Sequence, residues 1–582
     1  MRSGRYFTYS LAFLLGILPF FPQMSHPGST FLYGSMVLLL FLLLCLEHAL
    51  PIRRMLAFPL FLPLCGIFVL SLVYTFHSLY PYQSQHKLLR LLIAILFYLT
   101  VGLVAGRRWE RCVLVAGIFC GGTVLAVDAL WQQFTGYREV VEQIRQVRGY
   151  DPEMQNELIR ALEAGRALAR FGNPNHLAGY LLLTLWSGVL LWNDHGDRWQ
   201  RALIGAGSLI QTACIYRTYS RSGLLALLIS IVVLGVWQLA HLDRSYRRRV
   251  LLVGCMVLFF LLVGLFSFAG KALGGRLLVS STIVARVHFF RQALGLISDH
   301  LPDGSGLESF RYLATQYIRP GELESLYPHN LFLSAALESG VSGVWVMLWF
   351  SVVGLRWRAR PLGIQSVVGW GTFGGFLLLS CIDFHNEVAE ILFLFLALQG
   401  ICDARKVPID SVQSGGRILV AGVAAAGCLA WWILVLCPYM AVLYQRRGLD
   451  TVMAGQPAVR FFEKAAYWAP RDAEIADNLG RAYRELHSEE ARQVGVGFLR
   501  RAAELNPFQA YLHGDLAEAL FEDGKVDEAL EENEIARRLF PQKTLYVRRK
   551  AKYLLATGRR EEWERWTTIA DQMEQQDKAL RP

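Results

Sequence analysis

The chain has 582 residues, 54% of them apolar, and a formal net charge of +11 at pH 7. The apolar residues fall in runs of roughly 20, the length that spans a bilayer as helix, which excludes an ordinary soluble enzyme. The class is all-α: a polytopic transmembrane helical bundle, because only helices satisfy their own backbone inside lipid in such segments. The positive charge lies in short loops between apolar runs, and no arginine stripe with interleaved aromatics appears, so no nucleic-acid surface is expected. Most cysteines sit inside apolar runs, with no C-x-x-C and none after Cys437, which excludes a thiolate zinc site and a disulfide framework.

Taken in order, Met1-Arg2-Ser3-Gly4-Arg5 precedes an apolar run and reads as an uncleaved first span. About thirteen spans are predicted, near 6–22, 30–49, 57–77, 87–106, 110–132, 175–193, 200–217, 222–240, 250–269, 330–354, 364–382, 386–402 and 417–440. With the N-terminus in the cytoplasm, the inward connections carry Arg53-Arg54, Arg107-Arg108-Arg111, Arg198 with Arg201, Arg244 with Arg247-Arg248-Arg249, Arg356-Arg358-Arg360 and Arg405-Lys406. The short outward connections are nearly free of Lys and Arg, as the positive-inside rule requires. The loops 133–174 and 270–329, the turn Tyr219–Ser222 and the C-terminal tail then share the outer side.

Several outward segments are unexpectedly polar. Loop 133–174 mixes Glu and Arg at helical spacing, then delivers Arg170, Asn175 and His176 to the membrane boundary through Arg170-Phe171-Gly172-Asn173-Pro174-Asn175-His176. Arg217-Thr218-Tyr219-Ser220-Arg221 is so short a connection that an arginine must lie near hydrocarbon, which is costly unless it pairs or faces a wet cavity. These arginines suit an anion; snorkelling to headgroups is the plainer alternative. The stretch Ser281–Gly343 holds Arg286, Arg291, Asp299, His300, Asp303 and His329, with a turn signal at Asp303-Gly304-Ser305-Gly306 that can bring its halves together as a lid. Glu338, Gly340 and Gly343 follow, the glycines permitting close helix approach. Asp383, His385, Glu387 and Glu390 form another polar cluster at the same level, either a binding site or hydrogen bonds that hold the bundle together.

The tail from about 445 is polar and helical. Pro507 and Pro541 are one 34-residue repeat apart, and Ala502 and Ala536 precede them at the same offset. Small residues where paired helices touch, with Pro closing each unit, indicate tetratricopeptide repeats. The expected division is therefore a transmembrane unit, 1–442, and an α-solenoid, 443–582, which would bind a protein partner and do no chemistry.

The ordered set R-F-G-N-P-N-H-L-A-G-Y, T-Y-S-R-S-G, P-D-G-S-G-L-E-S-F and P-H-N-L-F-L-S-A-A-L-E-S-G-V-S-G resembles the O-antigen ligase and O-antigen polymerase superfamily. The resemblance covers roughly residues 90–400, and the repeat tail is similar to that of a subset of the family. It implies a cofactor-free, metal-independent glycosyltransferase of the bacterial inner membrane, working on the periplasmic face. The implied donor is a glycan on undecaprenyl pyrophosphate. The implied acceptor is a sugar of the lipid A core, another lipid-linked glycan, or a protein hydroxyl. The family's essential arginines map onto Arg221 and Arg286, and its essential histidine onto His329.

The residue chemistry agrees. Breaking a sugar–pyrophosphate bond builds negative charge that guanidinium groups match, and a neutral imidazole can take the acceptor proton. Arg221, Arg286 and His329 are the expected catalytic residues. Arg291, Arg170, Asn175, His176, Arg217, Asp383 and His385 are expected to bind substrate. A non-enzymatic transporter or assembly scaffold is the competing class, but the polar groups gather at one face and not at a midplane.

Overall fold

The structure, a computed structural model, describes residues 2–20, 27–48, 55–138, 141–142, 159, 162, 165–194, 197–240, 281–356, 363–404, 414–486 and 488–580. The predicted span at 250–269 lies outside the described residues, as does most of loop 133–174. Every regular element among the described residues is helical. The membrane unit comprises α1 (Arg2–Ile17), α2 (Pro27–His48), α3 (Phe61–Phe76), α4 (Pro81–Val104), α5 (Arg108–Thr135), α6 (Pro174–Asp194), α7 (Arg198–Arg217), α8 (Arg221–Ala240), α9 (Ser281–His300), α10 (Leu331–Arg356), α11 (Ile364–Ile382) and α12 (Ala389–Asp403). Among the described residues five helices are long and apolar enough to cross a membrane, α4, α5, α8, α10 and α11, with shorter apolar helices at Arg5–Phe20, Leu32–Leu44 and Phe61–Phe76.

Inside lipid there is no hydrophobic drive between helices, so close packing must hold the bundle. The crossing of α1 and α5 is an example. A Cβ on Gly121 would lie 2.2 Å from the Gly16 carbonyl oxygen, and one on Gly117 2.3 Å from that of Ala12. Larger aromatics fill the centre: Trp186, Tyr98, Tyr180, Phe373, Phe393 and Phe395 are all buried.

Polar groups sort to the two ends. At one end Arg108 donates to the Asp194 carbonyl at 2.6 Å and Tyr98 to Asp403 at 2.9 Å. At the other lie the first residues of α4, α6, α10 and α12, the last of α11, and the lid loop 301–330, joined by contacts such as Lys87–Glu387 and Asn175–Asp383. The expected turn Asp303-Gly304-Ser305-Gly306 docks into a break in α10. Ser339 and Gly340 leave helical geometry there, Gly340 with φ of 57°. The break exposes carbonyls that the loop satisfies: Ser305 N–H donates to Leu337 O at 2.8 Å and Gly306 N–H to Glu338 O at 3.1 Å. Val341 N–H in turn donates to Pro302 O at 3.1 Å. Irregular backbone at membrane depth is tolerated where protein covers it in this way. Gly340 therefore serves a loop entry, where helix approach was the expectation.

A long helix, α13 (Ser414–Met453), leads into the repeat tail, and α14 (Val459–Trp468) follows it. Then come three helical hairpins: α15 (Ala473–Arg484) with α16 (Glu489–Leu505), α17 (Ala510–Glu522) with α18 (Val526–Leu539), and α19 (Thr544–Ala556) with α20 (Arg560–Leu580). Ala502, Ala517 and Ala536 are fully buried where paired helices meet. Water drives this part: Leu499, Leu512, Leu516 and Leu520 are buried, each contributing about 1.5–3 kcal/mol.

A Cβ at position 340 would fall 1.7 Å from Pro302 O, whereas position 374 has nothing within 4 Å. Gly340→Ala is expected to destabilise the detergent-solubilised protein by about 2 kcal/mol or more, and Gly374→Ala by less than about 0.5 kcal/mol. Thermal unfolding of the two variants checks this, and equal melting temperatures would contradict the docked loop.

Candidate active site

One buried carboxylate, Asp383, gathers a group of polar residues at the lid end. Asp383 follows α11 with extended backbone, at the start of the short connection that carries Phe384, His385, Asn386 and Glu387 into α12. It is 1% exposed. Its Oδ1 accepts from His329 Nδ1 at 2.8 Å and from Phe384 N–H at 2.9 Å. Its Oδ2 accepts from an Arg286 NH2 group at 2.9 Å and from Asn175 Nδ2 at 2.9 Å. Burial opposes its charge, but the His329 hydrogen bond and nearby His385 hold the carboxyl well below the usual carboxylate range.

Each partner arrives on a different element: Arg286 on α9, Asn175 at the first turn of α6, and His329 on the residue pair before α10. His329 adopts φ of 53°, in the left-handed region. Its ring stacks on Phe289 of α9, centroids 5.0 Å apart, and meets Phe384 edge-on at 4.7 Å. The carboxylate at Nδ1 turns Nε2 outward, 3.2 Å from Ser325 Oγ. The side chains of Arg286 and His329 keep 19% and 15% of their surface exposed, so both remain partly open to solvent.

Asp383 is saturated with protein donors, so its place is behind the cations. His385 is fully buried and donates Nε2–H to Asn175 O at 3.0 Å, while burial lowers its pKa. It packs against α6 so tightly that a Cβ on Gly179 would meet its ring at 2.4 Å. His176 is buried edge-on to Phe384 and His385. Both imidazoles sit behind Phe384, supporting the connection.

Of the remaining arginines, Arg291, Arg170 and Arg217 pair elsewhere. Arg291, five residues from Arg286 on α9, points away and pairs with Glu322 and the Tyr317 carbonyl. Arg170 donates to Phe20 O at 3.1 Å and lies over the Phe20 ring. Arg217 donates to Gln133 Oε1 at 3.0 Å and to Tyr219 OH at 3.3 Å. Arg221 opens α8, where Gly223 packs on Ala178 of α6, one turn from Asn175. Arg166, absent from the expectation, joins it. Its Nε donates to Thr218 O at 2.9 Å, and burial together with the Arg221 charge lowers its pKa. The signal was the string Arg166-Ala-Leu-Ala-Arg170, in which only the second arginine adjoins the helix entry.

A second charged cluster lies beside the first, across Tyr327, whose ring stacks on Phe384 at 4.9 Å. Lys87 of α4 bridges Glu338 and Glu387, both at 2.7 Å. Arg90 pairs with Glu308 of the lid, which also accepts from Gln83 at 2.9 Å. Burial would raise the Glu308 pKa, but Arg90, Arg311 and Lys87 bring it to about 2. Lysine and arginine within an apolar run were the sequence signal for this cluster. Beneath it an apolar cavity of about 150 Å³ is lined by Leu64, Ile67, Ala335, Val346, Phe376 and Leu392, among others.

Residues 206–348 match the family model Wzy_C, described as O-Antigen ligase. That segment contains Arg221, Arg286 and His329; Asn175 and Asp383 lie outside it. Solved structures similar to this chain include "Crystal structure of MamA protein", at 19% identity over 27% of this chain and 87% of that one, with a TM-score of 0.23. Another is "Crystal structure of MamA", at 20% identity over 29% of this chain and 99% of that one, with a TM-score of 0.23. No curated protein matches the chain.

Asp383→Asn removes the charge that holds the His329 ring. Carbethoxylation of His329 by diethyl pyrocarbonate, followed by mass spectrometry, is expected to accelerate several-fold in that variant. An unchanged rate would mean that the aromatic rings alone fix the imidazole.

Proposed function

We propose that this protein is an integral inner-membrane glycosyltransferase that moves a glycan from undecaprenyl pyrophosphate to an acceptor on the periplasmic face, as an O-antigen ligase. The observation that carries this reading is the pairing of Arg286 and His329 on one buried carboxylate, both partly open to solvent and both inside the segment that matches the O-Antigen ligase family. The N-terminus lies in the cytoplasm and the lid end faces the periplasm, with the solenoid of the 443–582 unit on the same side.

Arg286 and Arg221 bind the pyrophosphate, and Arg166 adds a third guanidinium beside Arg221. Charge that grows on the leaving phosphate meets these preorganised cations, and such stabilisation usually supplies more of the rate enhancement than any other effect. The acceptor hydroxyl attacks the anomeric carbon, and His329 Nε2 takes its proton. The C–O bond to pyrophosphate breaks, undecaprenyl pyrophosphate leaves, and the anomeric centre inverts. Asp383 orients the imidazole through Nδ1 and stabilises the imidazolium that forms. Asn175 steadies the same carboxylate.

An in vitro transfer assay with lipid-linked donor tests the assignment. His329→Ala is expected to lower turnover by about 10²–10⁴-fold, and Arg286→Ala by about 10²-fold or more. Arg170→Ala and Arg291→Ala, whose side chains are committed elsewhere, should stay within a few-fold of wild type. Near-normal turnover in correctly inserted His329→Ala and Arg286→Ala proteins would sink the mechanism. Arg166→Gln should raise the donor KM about ten-fold with kcat less affected. Deleting the gene and resolving surface polysaccharide on a gel separates the acceptors. Loss of all attached chains indicates a ligase, single-repeat chains a polymerase, and lost glycoprotein with unchanged lipopolysaccharide a protein glycosyltransferase.

A further inference from the structure

The lid loop is held from two sides. From below, the membrane unit grips its first half: Ser84 Oγ donates to Leu307 O at 2.9 Å, and Glu308 N–H donates to Glu338 Oε1 at 3.0 Å. From above, the solenoid grips its middle. Phe508, before α17, packs into the cluster formed by Leu296, Phe310, Leu313 and Leu337. Thr315 Oγ1 donates to Leu539 O at 2.8 Å, the last carbonyl of α18 and one that an isolated helix would leave unpaired.

The third contact is a shared helix cap. At the start of α15, Asp472 accepts from Glu474 N–H at 2.9 Å and Ile475 N–H at 3.2 Å. The preceding amide, Ala473 N–H, donates instead to Tyr80 OH of the membrane unit at 3.0 Å. Tyr80 is buried, its ring meets Tyr312 of the lid edge-on at 5.6 Å, and neighbouring Tyr82 lies against the Tyr80 ring at 6.2 Å. The solenoid thus completes its own helix ends with groups from the turn before α4 and from the lid. Downstream of Tyr312 and Thr315 the same loop carries Ser325, Tyr327 and His329.

We propose that the solenoid is a clamp which keeps the 301–330 loop packed against the membrane unit, so that displacing the solenoid frees the segment leading to His329. The surface formed by the start of α15, the end of α18 and Phe508 is then an internal interface and is closed to outside partners. The effect of the clamp on transfer rests on the function proposed above; its effect on the loop does not.

The test is amide hydrogen exchange of the full-length protein in lipid nanodiscs, with the transfer assay run in parallel. Tyr80→Phe/Thr315→Val/Phe508→Ala removes the three contacts and leaves every charged residue of the site in place. Exchange across 310–330 is expected to accelerate about ten-fold or more, with 90–104 of α4 unchanged, and transfer to fall at least about five-fold. Lys552→Ala, which loses the pair with Glu518 and the contact over the Phe521 ring, both within the solenoid, should change neither. In a Phe508→Ala background, joining Thr315→Cys to Leu539→Cys with a short bismaleimide should return exchange and transfer towards wild type. That arm also guards against a triple variant that fails to fold. Unchanged exchange across 310–330 in a folded triple variant, or no recovery on cross-linking, overturns the clamp. His329→Ala separates the two proposals: it should abolish transfer and leave loop exchange as in wild type.

Discussion

A carboxylate at the edge of a membrane can remain ionised only if the protein replaces the water it has lost. Asp383 meets that requirement with four donors from four chain segments. The four bonds fix more than the acid. They place Arg286 of α9 and His329 of the α10 entry at one point, and they tie the start of α6 to the end of α11. Removing one member of such a buried set typically costs about 3–5 kcal/mol, because the remaining charges are left unpaired. The same geometry leaves the outer nitrogen of His329 and part of the Arg286 guanidinium accessible.

The lid obeys a backbone version of the same rule. A helix that breaks near lipid must find partners for its freed carbonyls. The break at Ser339-Gly340 finds them in the amides of Ser305 and Gly306, so the lid and α10 interlock at their main chains. Glu308 and Glu338 add side-chain contacts to Arg90 and Lys87 at the same place. Position 329 is reached only after the chain has passed through this interlock and then along the solenoid.

The two halves of the molecule are held by different physics. In the membrane unit, glycines bring backbones to contact and aromatics fill what remains. In the solenoid, leucines leave water and alanines mark where helices touch. The junction between them uses neither alone: it combines Phe508 burial with hydrogen bonds to helix ends at Ala473 and Leu539.

Much of this was written locally. Apolar runs announce helices because lipid admits little else, the 34-residue period announces hairpins, and the polar residues at 286, 329 and 383 stand out against apolar surroundings. The choice among similar residues was not local. Arg286 and Arg291 lie on one helix, yet five residues of helical rotation turn one to Asp383 and the other to Glu322. Arg170 and Arg166 are four apart, and it is Arg166 whose field overlaps that of Arg221. Sequence alone determined that the chain is a helical membrane protein with a repeat tail and a long polar loop between apolar segments, since those follow from periodicity and composition. Which cations share an acid, and that the tail grips the loop, was decided by tertiary structure, because both depend on contacts between residues tens to hundreds of positions apart.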